Sequence, residues 1–368
     1  MFKKKIQILF KTSIQNIFFF IYGKIKYNNI IGSNLFDIKE IPNIKSDTYP
    51  NKIYNIYYIK NARIYTDTNE NVAIIKNNYI LPKISFQQSF GVLKNESYNC
   101  VLSKGTPRIK KVFNGRIFNL TQGASGNNYF HFMFDIIPKL ELLKKVENIE
   151  DIDYFYVPKI QKWQCKIYKL LGLNKSKLID SDQYRHIEAD EILTVDHPWY
   201  FKNTIQSEVV NIPDWIIKDN RKLFSSNSVR FNNNNKIFLD RSSSKYSHCQ
   251  ITNNDEFKRM LKIKGFTSYK VEELTFEEQI FLFQQASIII GAHGAAFTNI
   301  IYCKPNTKII EIIPISHPNK KCERISGILN LSHHKIITDD TSQNKFFPYS
   351  ITLQKKHFDI INNIIGLY

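Results

Sequence analysis

Between Lys236 and Pro314 the chain alternates short apolar runs with amphipathic ones in a regular order. The runs read as strand "KIFLD", helix "NNDEFKRMLKIKG", strand "FTSYKV", helix "TFEEQIFLFQQA", strand "SIIIG", helix "AAFTNIIY" and strand "KIIEIIP". Continuous apolar runs of a few residues suit strands buried on both faces. Strands separated by helices pair in parallel through right-handed crossovers. Such α/β sheets bind ligands beyond the carboxyl ends of their strands, so chemistry is expected where these strands stop.

The first half opens differently. From Ile53 to Leu120 the stretches "KIYNIYYIKNARIYTD", "NVAIIKNNYILP", "YNCVLSK" and "GRIFNLT" are β-like and punctuated by Asn, Gly and Pro. "NNYFHFMFDIIPKLELLKKVEN" then places Phe130, Phe134, Ile137 and Leu140 at helical spacing, and Pro138 should kink or restart that helix. Strand "DIDYFYVP", helix "WQCKIYKLLGL" closed by Gly172, and strands "KLIDSD" and "EILTVDHP" follow. A chain of 368 residues is expected to form two domains. With "NTIQSEVVNIPDW" as linker these are 31–212 and 213–368, the last helix packing back on the first domain. No internal repeat is visible.

A net charge of +18 calls for an anionic partner: a membrane surface, nucleic acid or a phosphorylated ligand. Lys, Asn and Ile recur along the whole chain, however, and no run of five or six basic residues forms a nucleic-acid arm. A nucleic-acid-binding protein thus stands as a rival reading motivated by charge alone. The five cysteines are scattered without a CxxC pair, which points to a reduced, cytoplasmic setting and neither zinc nor disulfides. Residues 1–30 form a basic, apolar segment whose run Ile14–Tyr22 is too short to span a bilayer. Its lysines beside phenylalanines suit a helix lying peripherally in an anionic membrane interface, or equally a helix docked on its own domain.

Three constellations could carry chemistry. In "GAHGAAF", Gly291 and Gly294 allow close backbone approach, and a helix starting at Ala295 aims free N–H groups at the loop, a setting that favours phosphate. His293 there either binds that phosphate, acts as acid or base, or merely caps the helix. In "KIFLDRSSSK" a strand ends in Asp240-Arg241, where an arginine can clamp a diphosphate with hydroxyl help from Ser242; an Asp–Arg surface pair is the plainer reading. In "NYFHFMFDIIPKL", His131 and Asp135 share one face of an aromatic helix, either as a core pair or around a cavity with a carboxylate base.

These three pieces in this order resemble glycosyltransferase family 61. The likeness rests on "NYFHFMFDIIPKL", on "FLDRSSS" with "NNDEF", and on "GAHGAAFTNIIYCKPNTKIIEIIP", and it spans about Gly123 to Pro314. The resemblance implies a GT-B architecture, two Rossmann-like domains facing across a cleft, with 31–212 on the acceptor side and 213–368 holding the donor. It implies an inverting transfer from a nucleoside diphosphate sugar, a UDP-sugar first among them, to a glycan or polysaccharide acceptor, as in capsule biosynthesis. Nucleic acid is then no partner, and no metal or other cofactor is obligatory. By motif, Arg241, Ser242 and Lys245 would bind donor diphosphate, while Gly291, His293, Gly294 and Ala295 would line the nucleotide pocket. Asp135 would be the base, with His131 and His293 also catalytic, and Glu311 would contact ribose. Where many family members carry a second arginine this chain reads Cys249-Gln250, so Lys245 or His248 would substitute, or the chain is a degenerate binder without turnover.

Overall fold

The computed structural model describes residues 2–27, 35–89, 91–123, 125–202, 204–225, 235–242, 249–317, 319–339 and 350–366. Lys245 and His248 lie outside the described residues. By its internal contacts the chain falls into two units, Met1–Glu208 and Val209–Tyr368.

The first unit begins with helix α1 (Phe2–Tyr22) and strands β1 (Asp37–Ile41), β2 (Tyr54–Thr66), β3 (Val72–Lys76) and β4 (Tyr79–Ile80). Asn77 and Asn78 turn β3 into β4 with φ of 50° and 61°, the left-handed pair a tight hairpin needs and asparagine tolerates. A small hairpin of β5 (Gln88–Ser89) and β6 (Val92–Leu93) follows, then α2 (Cys100–Lys104) and β7 (Lys111–Asn119). The strand expected over "YNCVLSK" is instead this short helix. The Asn99 side chain accepts the Val101 N–H at its start, and Gly105 closes it at φ 65°.

Next comes an interrupted helix: α3 (Tyr129–His131), a π-turn over Phe132–Ile136, and α4 (Ile137–Leu143). Pro138 sits in the first turn of α4, where its missing N–H costs nothing, so the proline restarts the helix. Strand β8 (Tyr154–Val157), α5 (Lys162–Leu170), β9 (Leu178–Asp180), β10 (His186–Val195) and α6 (Ile205–Glu208) complete the unit.

The main sheet runs β4-β3-β2-β10-β7-β8-β9, with β1 added beside β2. Strands β7 to β10 are mutually parallel and lie in the order third, second, first, fourth, which is the Rossmann arrangement with its reversal between β7 and β10. Beyond β10 the sheet continues antiparallel through β2 and β3. Ile59, Ile64, Ile74, Ile117, Tyr156 and Ile192 form its core.

The second unit follows the sequence pattern closely: α7 (Asp214–Phe224), β11 (Asn235–Leu239), α8 (Asn254–Ile263), β12 (Phe266–Tyr269), α9 (Phe276–Gln285) and β13 (Ala286–Ala292). A 3₁₀ helix over Ala295–Tyr302 leads to β14 (Lys308–Pro314), α10 (Lys321–Leu329), β15 (Ser332–Thr338) and α11 (Lys355–Gly366). All five strands are parallel in the order β12-β11-β13-β14-β15, a doubly wound sheet reversing between β11 and β13. Helix α11 packs within its own unit. Its Ile361 and Ile365 pack with Phe238, Phe257, Ile290 and Ile310 of its own unit, and the buried Lys308 ammonium donates to the Ile364 carbonyl at 2.6 Å.

Candidate active site

Each reversal point carries a cluster of polar side chains on an otherwise apolar floor. In the first unit the cluster lies past the carboxyl ends of β7 and β10. The His131 Nδ1 is 2.8 Å from Asp135 Oδ2, across the π-turn. Such turns place one extra residue in the helical circuit and are common at functional sites. The Trp199 indole N–H donates to the other oxygen, Asp135 Oδ1, at 2.8 Å. His197 accepts the backbone N–H groups of Trp199 and Tyr200 at Nδ1, so its neutral ring carries the proton on Nε2, 3.9 Å from Asp135 Oδ1.

Burial pushes the Asp135 carboxyl up, but His131, His197 and Trp199 outweigh it and hold the group below the ordinary carboxylate range. Burial brings His197 down to about 3 against the pull of Asp135. Lys139, one turn further along, is buried with its ammonium on the Thr121 carbonyl at 3.2 Å. Burial lowers its pKa to about 8, with Asp135 opposing. The arrangement is an ionised carboxylate fixing Nδ1–H of a histidine, which leaves Nε2 of His131 as the basic atom. Among the described residues that Nε2 makes no hydrogen bond.

A second carboxylate shapes the same strand ends. Glu70 sits at φ 61° at the tip between β2 and β3 and is buried. It accepts the Gly126 N–H at 2.6 Å and the Lys159 N–H at 2.7 Å, in the loops that follow β7 and β8. The helix starts nearby are also closed by the chain itself, α3 by Asn128 and α5 by a reciprocal Gln161–Gln164 box.

In the second unit a recess of about 150 Å³ opens between the ends of β11 and β13, lined by Leu239, Arg241, Ser242, Gln250, Asn254 and Ala292 among others. Asp240 anchors this rim. Its buried carboxylate accepts Lys258 Nζ at 2.7 Å, Asn254 Nδ2 at 3.3 Å and the Ser242 N–H at 3.0 Å. Burial raises the Asp240 pKa, and these hydrogen bonds from Lys258 and Ser242 more than reverse it. Asp240 therefore ties the loop to α8, and Arg241 is turned the other way.

The Arg241 guanidinium lies on Gly294, where an added methyl group would sit 1.5 Å from Nη1. Gly294 has φ 175°, extended backbone open to any residue, so the arginine and not strain demands the glycine. Gly291 likewise meets Leu239, whose Cβ would be 2.9 Å from an added methyl. The starts of α8 and of the 3₁₀ helix at Ala295 have no side-chain cap hydrogen bond among the described residues. Their N–H groups therefore contribute positive potential beside the recess.

His293 faces inward. It is 4% exposed, its Nδ1 is hydrogen-bonded to Glu311, and Glu311 holds the His333 Nε2 at 3.0 Å with its other oxygen. Burial raises the Glu311 pKa, but His293 and His333 outweigh it and keep the carboxylate well below its usual range. Burial brings His293 down to about 4, so a neutral ring donates Nδ1–H to an ionised carboxylate. Lys321, also buried, donates to the Gly294 carbonyl at 2.9 Å. The Cys322 thiol completes with His293 and Glu311 a group whose ligand-type atoms lie within 4.8 Å of one another. Burial pushes the thiol well above its ordinary pKa, and both Glu311 oxygens already hold histidines, so hydrogen bonds account for this group.

The structure thus brings His131 to Asp135, Arg241 to Gly294 and His293 to Glu311, and sets Ser242 on the recess wall. His197, Trp199, Lys139, Glu70, His333 and Lys321 were not anticipated. "DHPW" directly after a strand was a usable signal for the first two.

Two α/β units with polar clusters at the sheet reversals belong to the broad class whose ligand sites lie beyond the carboxyl ends of the strands. A family model described as Glycosyltransferase 61 matches residues 129–310, and over that stretch the chain resembles this family. It resembles a β-1,2-xylosyltransferase of Arabidopsis thaliana, 39% identical over 61 residues, 17% of this chain and 11% of that one. It also resembles β-1,2-xylosyltransferase RCN11 of Oryza sativa subsp. japonica, 36% identical over 63 residues, 17% and 12% of the two chains. The matched stretches thus span little more than a tenth of these relatives.

Proposed function

We propose that the chain is an inverting glycosyltransferase that moves a sugar from a nucleoside diphosphate sugar to a hydroxyl of a glycan or polysaccharide. The observation that carries this reading is the recess between β11 and β13, where Arg241 and two uncapped helix starts converge. A leaving diphosphate needs positive charge that is already oriented, and a guanidinium with helix N–H groups supplies it. Ser242, Asn254 and Gln250 add donors along the same wall. Gln250 stands where an arginine is common in the family, while Cys249 is buried at φ 57° and cannot reach out.

In the first unit His131 is the base. Asp135 is 2% exposed and both its oxygens are occupied, which suits it to orient His131 and stabilise the imidazolium once an acceptor proton arrives. His293 and Glu311 serve the donor side by fixing the turn that carries Gly294. The proposal includes the GT-B arrangement and transfer without an obligatory metal, so chelators leave the rate unchanged.

The test is a thermal-shift screen of UDP-, GDP-, CMP- and dTDP-sugars, a xylose nucleotide among them. A donor at about 100 times its Kd stabilises the fold by roughly 2.7 kcal/mol. One responding nucleotide, its effect lost in Arg241→Ala and its sugar transferred to an added glycan, supports the reading. Binding without turnover makes the chain a sugar-nucleotide receptor instead, and no response to any donor removes the proposal.

A further inference from the structure

Helix α1 is fixed to the first unit by its final turns. Phe19 lies over Gly105, and Tyr22 sets its ring edge-on to His186 at 4.9 Å between centroids. The Tyr22 hydroxyl accepts the Lys110 N–H at 3.0 Å. The rest of the helix leads away from that anchorage: every residue from Ile6 to Ser13 is exposed.

At 100° per residue, Ile6, Leu9, Phe10, Ile17, Phe20 and Ile21 fall within an arc of about 120°, roughly opposite the docked Phe18, Phe19 and Tyr22. Those six side chains are between 51% and 93% exposed. A run of large apolar side chains along about 24 Å of helix is far from the scattered exposure normal on a soluble surface. Among the described residues it is an unoccupied contact face, and in the last turns the opposite face is taken up by Phe19 and Tyr22.

We infer that this face inserts into the interfacial region of a membrane rich in anionic lipid. Charge selects the occupant. Lys3, Lys4, Lys5, Lys11, Lys24 and Lys26 precede the first acidic residue of the chain, Asp37, so the segment is basic without internal compensation. A second basic copy brought against this helix would add like charge, whereas acidic headgroups neutralise it. No helix among the described residues is long and apolar enough to cross a membrane, so α1 lies in the interface plane. The three segments of the face, Ile6 to Phe10, Ile17, and Phe20 to Ile21, are then immersed together, with the first unit seated above them through Phe19 and Tyr22. This surface is independent of the proposed transfer reaction.

The experiment is co-sedimentation of the full chain with sucrose-loaded vesicles, either phosphatidylcholine alone or phosphatidylcholine with phosphatidylglycerol. The wild-type chain binds the anionic vesicles, binds neutral ones far less, and is partly released by salt. Leu9→Glu with Phe20→Glu lowers the partition onto anionic vesicles by about tenfold or more. Both positions are solvent-exposed, so the double variant keeps its melting temperature and its response to donor nucleotide. Absence of binding to anionic vesicles overturns the inference, as does undiminished binding by the double variant. Self-association by light scattering that vanishes in the double variant, without vesicle binding, makes a second copy the occupant and also overturns it.

Discussion

The two units each hold a histidine whose Nδ1 is fixed by a buried carboxylate, His131 on Asp135 and His293 on Glu311. They differ in what surrounds the pair. In the first unit the neighbouring strand ends are closed from within: Glu70 takes the N–H groups of Gly126 and Lys159, and Asn128 and Gln161 cap the helix starts. In the second, the helix starts flanking the recess lack side-chain caps and Arg241 lies beside them. An anion seat already filled by the chain's own carboxylate cannot recruit a phosphate, whereas an open one can. Under the proposed function the two sheets take different chemistry, proton handling in the first and anion holding in the second.

The sharpest way to break this division is His131→Gln. Transfer should fall by about 10²- to 10⁴-fold while the thermal shift on donor binding is unchanged. Loss of the shift as well would mean that the first unit also holds donor. Arg241→Ala should do the reverse. The donor-induced shift disappears and turnover drops about 10²- to 10³-fold, with the melting temperature of the free protein preserved.

Glu70→Ala tests the filled seat. It strands the buried Gly126 N–H at about 1–3 kcal/mol and the part-buried Lys159 N–H at less, read as a lower denaturation midpoint, and Glu70→Gln recovers part because its amide oxygen still accepts. A neutral alanine variant would remove Glu70 from the comparison.

The smallest effect is on pH. Burial lowers His186 to about 4 and His197 to about 3, against 6.5 for an ordinary histidine. The unfolded chain therefore takes up protons that the folded one refuses, and stability declines as pH falls below about 6.5. Between pH 7 and pH 6 each histidine should cost about 0.7 kcal/mol, measurable by chemical denaturation at the two pH values.

Local pattern revealed much of this. The strand–helix alternation of the second unit, the restart at Pro138, and the facing of His131 and Asp135 all follow from spacings of a few residues. What stayed hidden depends on which strands become neighbours. Trp199 reaches Asp135 from 64 positions away because β10 lies beside β7, and Glu70 meets Lys159 across 89 positions. Neither pairing leaves a periodic trace. His333 was missed for another reason: β15 reads "SHHKIIT", whose polar first half hides a half-buried strand at the edge of the sheet. The π-turn has no signal in apolar periodicity either, because it changes the helical count by a single residue.

The seating of Arg241 on Gly294 has an evolutionary reading. The glycine is obligatory only while the arginine is present, since its backbone is extended and a side chain there would otherwise be tolerated. Gly294→Ala should therefore displace the guanidinium and be damaging in the native background, yet add almost nothing once Arg241 is already alanine. Position 294 thus has no fixed tolerance of its own. Its history is contingent on a residue in a different loop, and the order in which the two changed would decide which intermediates survived.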